Sequence, residues 1–454
     1  MDFIKVLFGK ETPNKNKQSN TTKLKVVVTE FVEYGNHNYG SFLTHLLREN
    51  SSFEVYYFTE TFDKKFLNLQ GRHFFDLSDT GNKILQKLDA DVVVWGYQED
   101  KNIRLNFQTA NAYTDLDNIS YSLLDSLYIP IKYFEPGNVS LDIFYYLVVG
   151  AIVASISEQR VNLKQLKKKM LRKVLSYFNE CNLLQNDDII YSPYILNIVS
   201  LIYMSYEQKK ITKDSFETNL ELYKNAFLQK KQITQNVHLG CMYKNIGQLY
   251  EMAINQDIEA EQQWNMYNKA INNYKTAQKY IDQYNYPYDF ALISFKLAQL
   301  NFRYWKFANN KYADGMQGLR NAVTYLRIAE KTYTEITFPE LWSKIEGYLG
   351  YYLSLLGLFS KSNDISRLAI QCYRNKQSIY EKELHPIIWA KIQENIANVY
   401  YNMGKIAKDK SSYREAIEHY ESALKIYETN NMQREITIVS NSIEKVSKAL
   451  KRKK

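Results

Sequence analysis

The alternation of apolar and polar residues predicts two regions of different architecture. Before about residue 110, short runs rich in β-branched and aromatic residues alternate with segments that carry apolar residues at helical spacing. The strand-like runs cover residues 25–31, 53–58 and 90–96. A polar turn at residues 99–102 then leads to alternating apolar residues, a pattern typical of a hairpin. We therefore expect a flexible segment over residues 1–23 and a small α/β domain with a mixed sheet over residues 24–136.

From about residue 139 onward, the periodicity is that of one helix after another. Residues 143–157 are uncharged and mostly apolar, but a helix of this length spans only about 22 Å, whereas the hydrocarbon core of a bilayer is about 30 Å thick. We interpret this segment as a helix buried in a domain core. Residues 160–178 predict an amphipathic helix whose apolar face packs on that core helix. We expect degenerate helix pairs over residues 139–236.

A repeat with a period of 47 residues follows. Pro339-Glu-Leu-Trp342 recurs 47 residues later as Pro386-Ile-Ile-Trp389. Ala369, Ile370 and Tyr373 match Ala416, Ile417 and Tyr420 at the same offset, and Ala322 and Val323 match Ala369 and Ile370. The pattern predicts four helix pairs over residues 237–429, because a pair cannot bury its apolar face alone and must stack on its neighbours. A capping helix with a basic tail is expected over residues 430–454.

Small residues at fixed positions predict how the helices of each pair pack. The first helices carry Gly247, Ala298, Gly350 and Ala397, and the second helices carry Ala270, Ala322, Ala369 and Ala416. Small residues let two helix axes approach closely, while large residues such as Tyr400, Tyr420 and Tyr427 fill the grooves alongside.

These positions carry a resemblance to a known family. A small residue followed three positions later by an aromatic residue on the first helix, with Ala416, Tyr420 and Ala423 on the second, resembles the tetratricopeptide repeat (TPR) family. The unit of 47 to 52 residues exceeds the family's 34, as in the long-loop variant common in bacterial proteins. The resemblance covers residues 237–429, with a weaker match from about residue 180. It implies an all-α superhelical solenoid after the α+β N-terminal domain, with partners bound on the concave face.

The N-terminal region has a fainter resemblance of its own. Residues 24–110 resemble the small α/β domain found ahead of such repeats and the N-terminal domain of TolB-type proteins. The carrying residues are Lys25–Phe31 and Asp89–Gly96 with the hairpin that follows.

Charge and cysteine content narrow the possible functions. The chain has 58 basic and 49 acidic residues, a net charge of +9. The stretches Arg160–Lys173 and Lys445–Lys454 hold seven and six basic residues and no acidic ones, so the remainder carries −4. A nucleic-acid-binding face along the molecule is therefore not expected. The three cysteines are far apart, which excludes a disulfide framework and suits a reducing, cytoplasmic compartment.

Catalytic chemistry has little support in the sequence. Gly35-Asn-His-Asn-Tyr-Gly40-Ser41 lies between a strand and a helix, as phosphate-binding loops do, but it lacks the lysine of that motif. Ser41 is more simply interpreted as a helix N-cap. The six histidines show no pairing at metal-ligand spacing. We therefore expect no enzyme activity, no cofactor, no metal and no catalytic residues.

The hypothesis that follows is a cytoplasmic, non-enzymatic scaffold for protein–protein interaction. By the TPR resemblance, a partner of unknown identity would contact inner positions of the first helices: Lys244, Gln248, Phe295, Phe302, Tyr351, Asn398 and Tyr401. The set favours amide hydrogen bonds and aromatic contacts with the partner. Two alternatives stay open. One is a peripheral membrane-associated assembly factor that uses residues 1–8 and 160–173. The other is a ligand-sensing regulator that uses the α/β domain. The sequence leaves the oligomeric state open.

Overall fold

The computed structural model describes residues 23–31, 38–61, 72–109, 122, 124–134, 141–156, 163–181, 192–207, 211–233, 235–254, 259–308 and 315–451. Their contacts divide the molecule into two compact units, one that ends at Lys296 and one that begins at Leu297. We call them the N-terminal unit and the C-terminal unit. The predicted flexible segment, residues 1–23, lies outside the described residues except for Lys23.

A five-stranded mixed sheet forms the first part of the N-terminal unit. Its strands are β1 (Leu24–Glu30), β2 (Phe53–Thr61), β3 (Val92–Glu99), β4 (Asn102–Thr109) and β5 (Leu127–Pro130). They lie in the order β2-β1-β3-β4-β5, with β1 parallel to β2 and β3 and with antiparallel pairing between β3, β4 and β5. The predicted mixed sheet and its hairpin are confirmed. Strand β5 was not predicted.

Local chemistry explains the hairpin and the central strand. Glu99 pairs with Asn102, and Asp100 between them has a φ of 53°, a left-handed conformation that aspartate tolerates better than most residues. In β1, Val26, Val27 and Val28 are all buried, so both faces of this strand are covered. The helices α1 (Tyr39–Arg48) and α2 (Arg72–Lys87) connect the parallel strands.

A run of helices follows the sheet, as the sequence predicts. The helices are α3 (Leu141–Ser155), α4 (Lys164–Glu180), α5 (Pro193–Glu207), α6 (Lys213–Leu228), α7 (Asn236–Ala253), α8 (Ala260–Tyr280), α9 (Pro287–Ala308), α10 (Gly315–Glu330), α11 (Pro339–Ser360), α12 (Asn363–Ile379), α13 (Pro386–Ala407), α14 (Lys410–Thr429) and α15 (Gln433–Lys451). Short 3₁₀ turns occupy Ile131–Phe134 and Lys230–Gln232. The predicted class, an α/β region followed by helices, is therefore confirmed at this level.

Helix α3 is a buried core helix, as predicted from its length. Gly150 lies so close to α4 and α5 that a Cβ there would come within 2.5 Å of the Ile202 Cδ1 atom and 3.1 Å of Val174 Cγ1. The predicted packing of α4 on α3 is confirmed, with Met170, Val174 and Phe178 buried. Among the described residues, no helix combines the length and the apolar content that a bilayer span requires.

The 47-residue repeat is visible in the backbone as well as in the sequence. Helices α11 and α13 both begin with proline, both have 22 residues, and both end at a lysine with φ 53° and ψ 37°, Lys361 and Lys408. The predicted close approach at small residues is also confirmed: a Cβ at Gly350 would lie 2.8 Å from the Tyr373 ring. At the next pair, Ala397 packs in one buried cluster with Ala416 and Tyr420.

Candidate functional site

The predicted inner positions separate into buried and accessible residues. Lys244, Gln248, Phe295 and Phe302 are each at most 3% exposed. Tyr351 and Tyr401 are half-buried, and Asn398 is exposed. The expectation that all seven are exposed is therefore wrong for the first four. Whether any of the seven contacts a partner stays a prediction.

A carboxylate from the sheet region accounts for the burial of Lys244. Asp125 lies just before β5 and is fully buried; its Oδ2 atom accepts from the Lys244 ammonium at 2.7 Å. Its Oδ1 atom accepts from Asn197 at 3.1 Å and from Asn245 at 2.9 Å. Burial opposes the charge on Lys244, but the charge and hydrogen bond of Asp125, together with Cys241 and Asp289, outweigh it, so the pKa of Lys244 is raised. The residues around Asp125 therefore cover the predicted inner position Lys244 of α7 and also contact α5.

Next to this ion pair, a second buried cation holds the same segment. The Arg104 Nε atom donates to Ser126 at 3.0 Å and its Nη1 atom donates to the Tyr97 hydroxyl at 2.5 Å. Tyr128 stacks on Tyr194 of α5, with ring centroids 4.0 Å apart. Burial, followed by the nearby Arg104, lowers the pKa of His238 to about 3, so this histidine is neutral. These contacts fix the sheet to the first helix pairs within the N-terminal unit.

The accessible inner positions lie in the C-terminal unit. Tyr351 contacts Phe302 edge to face at 5.5 Å, and Phe302 stacks on Tyr352 at 4.2 Å. Tyr401 lies near two ammonium groups, with Lys405 at 5.6 Å and Lys445 at 5.4 Å from its ring centroid. Phe302 is therefore a buried residue that packs against Tyr351. Tyr351 and Tyr401 themselves remain partly accessible to solvent.

Residues at equivalent repeat positions form polar junctions between successive helix pairs. In the junction of α10, α11 and α12, the Arg327 Nη1 atom lies 2.8 Å from the Glu330 carboxylate and 3.7 Å from that of Glu346. The Asn375 amide donates to Glu346 at 3.0 Å. Burial, followed by the hydrogen-bonded Glu330, raises the pKa of Glu346 to about 8. At neutral pH the buried Glu346 therefore favours its protonated form, beside Glu330 and Arg327. We call this the acid junction.

The next junction, between α12, α13 and α14, has the same plan with different side chains. Arg374, Gln377, Trp389, Gln393 and His419 stand 47 residues after Arg327, Glu330, Trp342, Glu346 and Cys372. The Gln393 amide nitrogen donates to Gln377 at 3.1 Å, and the Gln393 oxygen accepts from the His419 ring at 2.6 Å. A groove of about 580 Å³ opens at this place. We call this the amide junction.

Comparison at the 47-residue offset could have revealed both junctions before the structure. The matches at that offset quoted above are almost all between apolar or small residues. The paired polar positions carry the difference between the two junctions, since two glutamates are replaced by two glutamines.

Two other candidate regions, the loop before α1 and the basic cluster of α4, make structural contacts where the structure describes them. Helix α1 is capped by Asn38, whose side chain accepts from the Ser41 amide at 2.7 Å, so the expectation that Ser41 is the cap is wrong. Gly35 and His37 lie outside the described residues. In the basic cluster, Lys167 is buried and donates to the Ile156 carbonyl at 2.6 Å, while Lys168 is exposed. No group of three potential metal ligands occurs in the part of the chain that the structure describes.

Comparison with known proteins assigns no family. No model of a known protein family matches the chain, and no curated protein matches it either. The TPR resemblance therefore remains a prediction that rests on the quoted residues.

Proposed function

We propose that this chain is a non-enzymatic scaffold for protein–protein interaction and that a partner segment binds the C-terminal unit. The observation that carries the proposal is the contrast between the two units at the predicted inner positions of the first helices. Lys244 is closed off by the chain's own Asp125, whereas Tyr351 and Tyr401 keep solvent access. Aromatic side chains that are partly exposed on a rigid helix are typical anchors for a protein partner.

The C-terminal unit also offers rigid, apolar loop tips. Ile336 in the α10–α11 loop is 92% exposed and Leu384 in the α12–α13 loop is 70% exposed. The first loop is fixed internally, since the Thr334 and Thr337 hydroxyls hydrogen-bond at 2.8 Å. Both side chains are accessible to a partner that binds the C-terminal unit.

Affinity capture from the native cell, with identification of the bound proteins, tests the proposal. The wild type should recover a specific partner, and the double variant Tyr351→Ala/Tyr401→Ala should lose it with a melting temperature close to that of the wild type. Leu368→Ala is the matched control, because Leu368 is a half-exposed apolar residue on helix α12 and should not affect capture. Capture that survives in the folded double variant would remove the aromatic positions as the binding surface.

A screen for small ligands separates the scaffold from the enzyme and sensor alternatives. Nucleotides and divalent metals that bind the folded state raise the melting temperature, and the shift grows with the logarithm of the ratio of ligand concentration to Kd. A scaffold should show no specific shift with either class. A clear, saturable shift with one nucleotide or metal would favour a ligand-sensing role for the α/β region.

A further inference from the structure

The amide junction leaves an arginine without a counter-ion beside a groove. Arg374 is exposed, and no carboxylate among the described residues lies within ion-pair distance of it. Its repeat equivalent, Arg327, has two glutamate carboxylates within 3.7 Å. The difference arises because Gln377 and Gln393 stand where the acid junction has Glu330 and Glu346.

The two glutamines have their hydrogen bonds committed to each other and to His419. Gln393 donates to Gln377 and accepts from His419, so its buried amide is held in one orientation. The His419 ring stacks on Tyr400 with centroids 5.5 Å apart. The groove therefore has a rigid polar floor. The side chains that line it are Arg374, Gln377, Ser378, Trp389, Gln393, Glu418, His419 and Ser422.

The acid junction shows which chemistry fits this place in the repeat. There, the Glu330 and Glu346 carboxylates lie beside the arginine, and Trp342 of the first helix turn hydrogen-bonds to Glu330. Arginine binds carboxylate through parallel N–H donors more strongly than it binds neutral groups. In the amide junction, the arginine and the tryptophan remain, but no carboxylate of the described residues lies within ion-pair distance of the arginine.

We propose that the groove of the amide junction binds an acidic side chain of a partner protein, with Arg374 as the carboxylate-binding residue and Trp389 covering the aliphatic part of that side chain. The inference rests on the proposed scaffold function and names the chemistry of the partner segment. It places this contact on a different set of helix positions from Tyr351 and Tyr401. Glu418 lines the same groove and carries a like charge, so it limits how many acids the segment can present.

Selection from a random peptide display library against the full-length chain tests this inference. Peptides enriched by the wild type should share an aspartate or glutamate at one position. Arg374→Gln should weaken binding of such a peptide by about tenfold to a hundredfold, because a hydrogen bond to a charged group is lost. Replacing the peptide acid by its amide should cost the same factor in the wild type and nothing further in Arg374→Gln.

Two further variants separate the groove from a general charge effect. Glu418→Gln should tighten binding of the same peptide about twofold to fivefold, since a like charge is removed. Gln377→Glu/Gln393→Glu introduces the two acids that the acid junction carries at these positions. This double variant should no longer bind the peptide, although its circular dichroism should be unchanged. Arg374 is exposed, so its variant reports on binding even if the double variant fails to fold.

The inference is overturned if no peptide is enriched, if the enriched peptides share no acid, or if Arg374→Gln leaves the affinity unchanged. The scaffold proposal is judged separately by cellular capture with Tyr351→Ala/Tyr401→Ala. A partner that is captured normally by Arg374→Gln, and that is lost from the tyrosine variant, would sustain the scaffold while removing the groove from its binding surface.

Discussion

Replacing Glu346 by glutamine should make the chain more stable at high pH and leave it nearly unchanged at low pH. Glu346 is fully buried in the acid junction, and its pKa is raised to about 8, chiefly by burial and then by the hydrogen-bonded Glu330. A carboxyl whose pKa is higher in the folded than in the unfolded chain stabilises the fold below its unfolded value, 4.5. That contribution is lost as the pH rises toward 8.

The magnitude follows from the size of the shift. One pKa unit corresponds to about 1.4 kcal/mol, so ionisation of Glu346 would cost at most roughly 4 to 5 kcal/mol. Arg327 lies 3.7 Å away and can move toward the ionised carboxylate, which reduces the cost. We therefore expect Glu346→Gln to gain about 2 to 3 kcal/mol relative to the wild type between pH 5 and pH 9. The adjacent repeat already carries glutamine at this position, Gln393.

Urea unfolding at pH 5, 7 and 9 measures this difference. Glu383→Gln is the matched control, because Glu383 is exposed in the α12–α13 loop and should show the same stability difference at all three pH values. A difference between Glu346→Gln and wild type that is independent of pH would refute the raised pKa of Glu346. A variant that is less stable than the wild type at pH 9 would refute it more strongly.

Three further changes test the contacts that hold each unit together. Lys244→Met should destabilise the N-terminal unit by about 3 to 5 kcal/mol in urea unfolding, since it leaves the Asp125 charge buried without its cation. Lys244→Met/Asp125→Leu should recover part of that loss, and a double variant no better than the single would contradict the pairing. Gly350→Ala should cost about 1 to 3 kcal/mol by overpacking against Tyr373 despite the better helix propensity of alanine, and a stabilised variant would contradict the close approach.

The parts of the fold that depend on local pattern could be predicted from the sequence. Runs such as Val26–Val28 and the turn at Asp100 signal strands and a hairpin through residue type alone. Strand β5 escaped because it has only four residues and follows a segment without periodicity. Asn38 rather than Ser41 caps α1, since the helix begins at Tyr39, three residues before the Phe42 start that a Ser41 cap implies.

Long-range burial explains why the candidate site was only partly predictable. Lys244 lies at an inner position by repeat arithmetic, but its partner Asp125 is 119 residues away in the chain. A periodic pattern does not indicate such a pairing. Lys244 was therefore expected to be exposed, but it is buried in the structure. The polar junctions differ in this respect, because Glu346 and Gln393 are related by the same 47-residue offset as the apolar residues.

Hydrogen–deuterium exchange on the complex with the captured partner tests the central claim most directly, namely that a partner binds the C-terminal unit. The account predicts slower amide exchange in α11, α12 and α13, around Tyr351, Arg374 and Tyr401, when the partner is bound. The helices α5 and α7, which the buried Asp125 contacts, should exchange as in the free chain. Protection confined to residues before Leu297 would contradict the account.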